Sequence, residues 1–292
     1  MKYIGFFLLF VTSLWADAAC KIEAVEEIKS EKVKSSVSKW LDHDFGLKPY
    51  RANYLLPYGY ADKKYNAPLP SVEYENSEAE LQVSLQLRVS ENLLGLNEEY
   101  FLSYTQKSFW QIYAESSPFR ETNYNPEAFV IFPISDDDNY FRFCSLKFAI
   151  AHLSNGQADT REVVFADSNH LGNLSRSINF VYATLRLQHK SLFLDLKTWL
   201  PLPEDPEKND NPDIMDYTGY VSVKGTYFYD DHMFTLKLRG SVKTGNGYLE
   251  GTYSYPILQN YFYLKMFSGY GESLIDYNNY INKVSVGFSF SR

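Results

Sequence analysis

After residue 20 this 292-residue chain has no stretch approaching the roughly 20 predominantly apolar residues that a membrane-spanning helix requires. A helical membrane protein is thereby excluded. Basic charge is also scarce, with 28 Lys and Arg against 36 Asp and Glu and a formal net charge of -8, which argues against a nucleic-acid partner. Cys20 and Cys144 are the two cysteines; they leave a single disulfide open in an oxidising compartment, and one pair supplies no framework for a fold. No internal repeat or low-complexity segment appears.

What the chain does have is aromatic side chains: 25 Tyr and 21 Phe, and 17% Phe, Trp and Tyr together. That load is heavy for a soluble domain, and it is expected where aromatic girdles sit at two membrane interfaces. Residues 1–19 open with Lys2, run through the apolar Ile4 to Trp15 and end in Ala16-Asp17-Ala18, the pattern of a secretory signal peptide. Asp17 stands three residues before Cys20, where a lipobox wants an aliphatic side chain, so lipidation of Cys20 is disfavoured. In 20–46, Ile22, Val25, Ile28, Val33, Val37 and Trp40 recur at steps of three to five residues among dense charge, which suggests an amphipathic helix packed at one end of the main domain.

From Leu47 onward the pattern changes to short alternating segments separated by turn signals. About twelve can be counted, near 50–60, 80–90, 100–112, 127–135, 141–153, 176–188, 191–200, 217–229, 232–243, 247–256, 260–269 and 282–290. An even number suits a closed antiparallel barrel without a free edge. The expectation is therefore an all-β, twelve-stranded antiparallel transmembrane β-barrel over 47–292. The last segment is the cleanest: Val284, Val286, Phe288 and Phe290 alternate with Ser285, Gly287, Ser289 and Ser291, apolar on one face and polar on the other. A soluble barrel or sandwich uses the same alternation, but the signal peptide, aromatic load and strand count point to the membrane.

His152 and Ser154 stand two residues apart at the end of one such segment, so in a strand both side chains share a face. That face also carries Leu146, Phe148 and Ile150, the apolar side, which puts His152 and Ser154 on the lipid side near the membrane boundary. Asn179 shares its face with Val181, Ala183, Leu185 and Leu187, although Ile178, Phe180 and Tyr182 lie on the opposite, supposedly inward one. An antiparallel pairing could bring Asn179 beside His152 as the orienting member of a triad. Such a group could attack a lipid ester arriving laterally from the bilayer. The same polar residues could equally serve to anchor strand ends to headgroups. Gln106 shares an outward face with Leu102, Tyr104 and Trp110; a lipid-facing amide wants a partner, from a second subunit or from interfacial water.

The segments Tyr104-Thr105-Gln106-Lys107-Ser108-Phe109-Trp110-Gln111, Ser116-Ser117-Pro118-Phe119-Arg120-Glu121-Thr122-Asn123-Tyr124 and His152-Leu153-Ser154-Asn155-Gly156 resemble the outer-membrane phospholipase A family. So do Asp210-Asn211-Pro212-Asp213-Ile214 and the stretch from Ser268 to Tyr277. The resemblance implies a barrel of the bacterial outer membrane that hydrolyses phospholipid acyl esters as a calcium-bound homodimer. By the same resemblance Ser154 is the nucleophile, His152 the base and Asn179 the orienting residue, with the amide of Gly156 in the oxyanion hole. Ser116, Gln157 and Ser175 match the Ca²⁺ ligands of the dimeric site, Asp159 and Asp210 the acidic residues of a second site, and Gln106 the dimer surface. Two departures stand out. The family has Arg at the position of Gln157, which leaves the ligand role to its carbonyl, and Ala158 to Leu174 is longer than the usual link between the two motifs. Asp167 and His170 in that link read as solvated loop positions. A porin-like or structural barrel without activity, and a deacylase acting on another membrane lipid, are the competing readings.

Overall fold

The computed structural model describes residues 47–65, 73–134, 140–157, 173–206 and 209–292. The expected signal peptide, the 20–46 segment and Cys20 lie outside the described residues. Thirteen strands follow in chain order: β1 (Leu47–Pro49), β2 (Tyr54–Ala61), β3 (Ser77–Glu91), β4 (Glu99–Trp110), β5 (Phe119–Pro133), β6 (Arg142–Ser154), β7 (Ser177–His189), β8 (Leu192–Pro201), β9 (Val221–Tyr229), β10 (His232–Gly240), β11 (Gly247–Ile257), β12 (Asn260–Gly269) and β13 (Ile281–Ser289). One short helix, α1 (Ile214–Thr218), precedes β9. Each strand from β2 to β13 pairs antiparallel with its sequence neighbour, and β13 closes on β2. β1 and β2 both pair with β3, Leu47 with Leu87 and Tyr54 with Gln82, so they form one interrupted stave. The result is the expected twelve-stave closed barrel, which leaves no edge unpaired.

The two faces of the wall are inverted relative to a protein that folds in water. Leu102, Phe148, Ile150, Leu200, Leu236, Leu238 and Val284 are exposed, while Glu78, Glu80, Arg120, Lys265 and Lys283 are buried inside. A continuous apolar band of this extent is far larger than the patches soluble monomers expose. It is the lipid-facing surface of a membrane barrel. Tight two-residue turns at 190–191, 230–231 and 258–259 mark one end, with positive φ at Lys190, Asp230 and Leu258. The longest connections, 62–76, 155–176 and 202–220, lie at the other end, which identifies it as the extracellular end.

The first stave is broken, with 50–53 outside any strand, β3 begins at Ser77 rather than 80, and β5 and β9 also begin elsewhere than their patterns suggest. β5 starts at Phe119 rather than near 127, because Arg120 is the extra residue of a bulge: Phe109 pairs with Glu121 and Trp110 with Phe119. The bulge turns Arg120 and Glu121 inward together and breaks the alternation on which the sequence reading relied. β9 starts at Val221 rather than 217, because 214–218 coil into α1 and Gly219 ends the helix at φ 65°. A side chain at Gly219 would put its Cβ 1.7 Å from the Gly240 carbonyl oxygen, so only glycine fits.

The lumen is filled rather than open along one side. Arg120 donates to both carboxylate oxygens of Glu78 at 2.9 and 3.0 Å, and Lys283 donates to the same carboxylate at 2.6 Å. Lys265 reaches Glu80 at 2.5 Å, and Asp276 accepts from Arg120 at 2.7 Å. Toward the extracellular end Phe180 and Trp199 belong to one buried cluster with Ile214 and Met215 of α1 and with Leu274 and Tyr277, and the cluster continues down the wall through Tyr182 to Phe129 and Phe101. This cluster explains why Ile178, Phe180 and Tyr182 are apolar although they point inward. At that level the interior is a packed core, so both faces of β7 are apolar.

Candidate active site

Register settles the facing of the three candidate residues. His152 pairs directly with Asn179, and Ser154 with Ser177, across β6 and β7. His152 and Asn179 therefore project to the same side, outward, and Ser154 follows two residues further on that face. His152 Nδ1 lies 2.8 Å from Asn179 Oδ1. A carbonyl oxygen only accepts, so Nδ1 carries the hydrogen and Nε2 keeps its lone pair as the basic nitrogen.

The backbone beneath is held by asparagines. Between the pairs Tyr124–Ser154 and Glu127–Ala151 the β5–β6 ladder is interrupted, where Pro126 has no N–H to donate. Asn125 Nδ2 donates to the His152 carbonyl oxygen at 2.8 Å instead. Past the strand end, buried Asn155 fastens the two segments together. Its Nδ2 donates to the Leu174 carbonyl at 2.8 Å, its Oδ1 accepts from the Arg176 amide at 3.0 Å, and its own amide donates to the Arg176 carbonyl at 3.0 Å. Asn211 Oδ1 accepts from the Ser177 amide at 3.0 Å and ties the 210–213 segment to the start of β7. Gly156 then turns the chain at φ 66°; a Cβ there would lie 2.8 Å from Cε2 of the Tyr124 ring.

Beside this group Ser175 Oγ donates to the Asp210 carboxylate at 2.5 Å, and Asn173 Nδ2 donates to it at 2.6 Å. Ser175 and Asp210, which the resemblance assigns to two different calcium sites, thus meet here. Gln157 is exposed, with its amide donating to Asn155 Oδ1 at 3.3 Å. Ser116 sits exposed on the 111–118 turn at φ 60°, and its side chain has no hydrogen-bond partner among the described residues. Asp159, Asp167 and His170 lie outside the described residues. The Tyr277 hydroxyl donates to Asp213; burial, followed by that hydrogen bond, holds the phenol above its ordinary range and keeps it a donor.

Among the described residues no group of three His, Cys, Asp or Glu could hold a metal. A cation beside Ser175 would therefore be held by hydroxyl, carbonyl and single carboxylate oxygens. That donor set suits a hard, oxygen-preferring ion and not one that seeks imidazole or thiolate. Because the Ser175 hydroxyl hydrogen points at Asp210, its lone pairs face away and are free to coordinate.

Gln106 is half-buried on the outward face of β4; its Oε1 accepts from the Tyr104 hydroxyl at 3.0 Å and its Nε2 donates to Ser108 Oγ at 3.4 Å. Direct pairings run Gln106–Tyr124–Ser154–Ser177, one row across four strands. Tyr124, Asn125, Asn155 and Asn211 carry no assignment at the sequence level. Asn155 could have been found there, since Asn-Gly after a strand marks a turn whose side chain bonds nearby backbone.

A closed transmembrane barrel with a serine, a histidine and an asparagine together on its lipid face defines a class: an integral outer-membrane protein equipped for chemistry at the bilayer surface. The family model for phospholipase A1 matches residues 30–290, and the chain belongs to that family. It is 35% identical over 252 residues to phospholipase A1 of Escherichia coli K12, covering 84% of this chain and 82% of the relative. It is 33% identical over 265 residues to a putative phospholipase A1 of Neisseria meningitidis, where the match spans 84% of this chain and 65% of that longer relative. The outer-membrane phospholipase dimer of Salmonella typhi, solved with bound calcium, superposes with a TM-score of 0.74 at 31% identity, covering 87% of this chain and 96% of that one. An active-site asparagine-to-alanine variant of the Escherichia coli outer-membrane phospholipase A superposes with a TM-score of 0.75 at 33% identity, covering 87% and 95%.

Proposed function

We propose that this protein hydrolyses the acyl ester bonds of phospholipids in the outer membrane, with Ser154 as nucleophile, His152 as general base and Asn179 as the orienting residue. The observation that carries the reading is the His152–Asn179 hydrogen bond at 2.8 Å on the lipid side of the wall, two residues from a serine on the same face. A phospholipid in the outer leaflet presents its ester carbonyl at the membrane boundary. Ser154 Oγ attacks that carbonyl while His152 Nε2 accepts its proton; the same proton then passes to the glycerol oxygen as the ester breaks. Water attacks the acyl-enzyme in turn, activated by the same nitrogen, and releases the fatty acid. Asn179 holds the Nδ1–H tautomer throughout, and an amide does this without adding a negative charge. The Gly156 amide is the backbone donor for the oxyanion.

Calcium, bound in the related dimer, would be held by Ser175 Oγ, the Gln157 carbonyl and Ser116 of a second copy, with Asp210 and Asp159 at the acidic site. When bound it supplies positive charge beside the developing oxyanion. The working form is then a homodimer joined across the face that carries Gln106, and the substrate is a membrane lipid rather than a soluble ester. The 1–19 signal peptide and the 20–46 segment precede a barrel over 47–292 in this reading. The ion-paired lumen counts against a porin role.

Purified protein in micelles should release fatty acid from phospholipid when calcium is present and lose that activity with a chelator. Ser154→Ala should abolish release altogether; full activity in that variant would refute the mechanism.

A further inference from the structure

The interior charges are not spread evenly around the barrel. The half built by β2 to β5 with β12 and β13 pairs Glu78 and Glu80 with Arg120, Lys265 and Lys283 at close range. The facing half carries more cations than carboxylates. Along the cavity of about 470 Å³, Lys147, Arg186, Lys197, Lys224, Lys237 and Arg239 line the wall of β6 to β11, with Asp195 and Glu250 as its carboxylates. Both carboxylates are engaged: Asp195 accepts from Arg186 Nε at 2.7 Å and Nη2 at 3.0 Å, and Glu250 lies 3.7 Å from Lys265. Lys224 and Lys237 are direct cross-strand partners, a like-charge pairing flanked in the same row by Asp195 and Glu250, which are shared with Arg186 and Lys265. In the adjoining row Lys197 stands 3.4 Å from the Tyr182 ring centroid and the Arg239 guanidinium 3.5 Å from that of Trp199. Arg239 Nε and Nη2 are buried without an acceptor. Among the described residues Lys197, Lys224, Lys237 and Arg239 form no ion pair.

We infer that this wall is a binding site for a soluble, multivalent oxyanion of the phosphate class, held inside the barrel. Clustered cations in an enclosed lumen call for counter-charge, and the protein supplies too little of it. Ammonium and guanidinium groups converging from adjacent strands match the several oxygens of one phosphate-type ion better than a monovalent halide. Thr184, Ser222 and Thr235 line the same wall and add hydroxyl donors. The cavity reaches Arg292 at the short-turn end. A diacyl lipid cannot cross the closed wall, so the ligand is a free ion rather than a headgroup, and the site is separate from the outward Ser154.

The full chain in zwitterionic detergent and calcium-free buffer, titrated calorimetrically with pyrophosphate, should bind one ion per chain saturably. It should also unfold at a higher temperature than in chloride of equal ionic strength. Lys224→Gln/Lys237→Gln should weaken binding at least tenfold while calcium-dependent fatty-acid release, measured separately, stays unchanged and reports that the barrel is folded. Lys197→Gln, alone, should weaken it less and covers the case in which the double variant fails to fold. Absence of saturable heat with the wild type, equal stabilisation by chloride, unchanged affinity in a folded variant, or displacement of pyrophosphate by long-chain phosphatidic acid in mixed micelles would each overturn the proposal.

Discussion

His152 has one nitrogen committed to Asn179 and one left for chemistry, and that division is made by a single amide oxygen 2.8 Å away. Asn179→Ala should remove the acceptor for Nδ1–H, free the ring to rotate and lower kcat by roughly 10²- to 10⁴-fold. KM should change little, because the amide does not touch the acyl chains; steady-state fatty-acid release separates the two constants. A loss confined to KM would argue that Asn179 binds lipid instead. At this scale the sequence placed His152 and Ser154 on one face and was silent about what holds them. The two-residue spacing of His152 and Ser154 is a local property of a strand. The clasp made by Asn155 joins residues 19 to 21 positions apart, and no spacing rule reaches that far.

Between strands, the row Gln106–Tyr124–Ser154 brings the proposed dimer surface within two strand spacings of Ser154, about 10 Å. A second subunit seated on β4 would thus border the site and could deliver its Ser116 to the metal. Gln106 has intrachain contacts to Tyr104 and Ser108, yet each end of the amide keeps hydrogen-bonding capacity for a partner. Gln106→Ala should weaken calcium-dependent dimerisation by about 0.6 kcal/mol, the usual scale for such bonds in membranes. Cross-linking yields across a detergent dilution series would register this; identical yields would count against the interface. Alternation identified the strands themselves because each wall face has lipid on one side. It failed at Arg120, where a bulge puts two consecutive residues inside, and at 217–218, where α1 replaces strand.

For the whole barrel, the buried ion pairs hold the extracellular connections onto the wall: Arg120 of β5 bonds Glu78 of β3 and also Ser273 and Asp276 of the 270–280 loop. Arg120→Met would leave Glu78 to Lys283 alone and Asp276 without its cation, and should destabilise the protein by about 3–5 kcal/mol, read as a lower urea midpoint for unfolding from detergent. An unchanged midpoint would mean that water or Lys283 replaces the guanidinium. The sequence by itself determined the barrel, its strand number, the outward facing of His152 and Ser154 and the membrane as solvent. All of these follow from a period-two pattern that each strand carries locally. Tertiary structure decided the rest: the outward facing of Asn179 despite its mixed strand, the meeting of Ser175 with Asp210, and the split of the lumen into an ion-paired half and a cationic one. Those depend on register between strands and on which charges face each other across the lumen, quantities that come into existence only when the sheet closes.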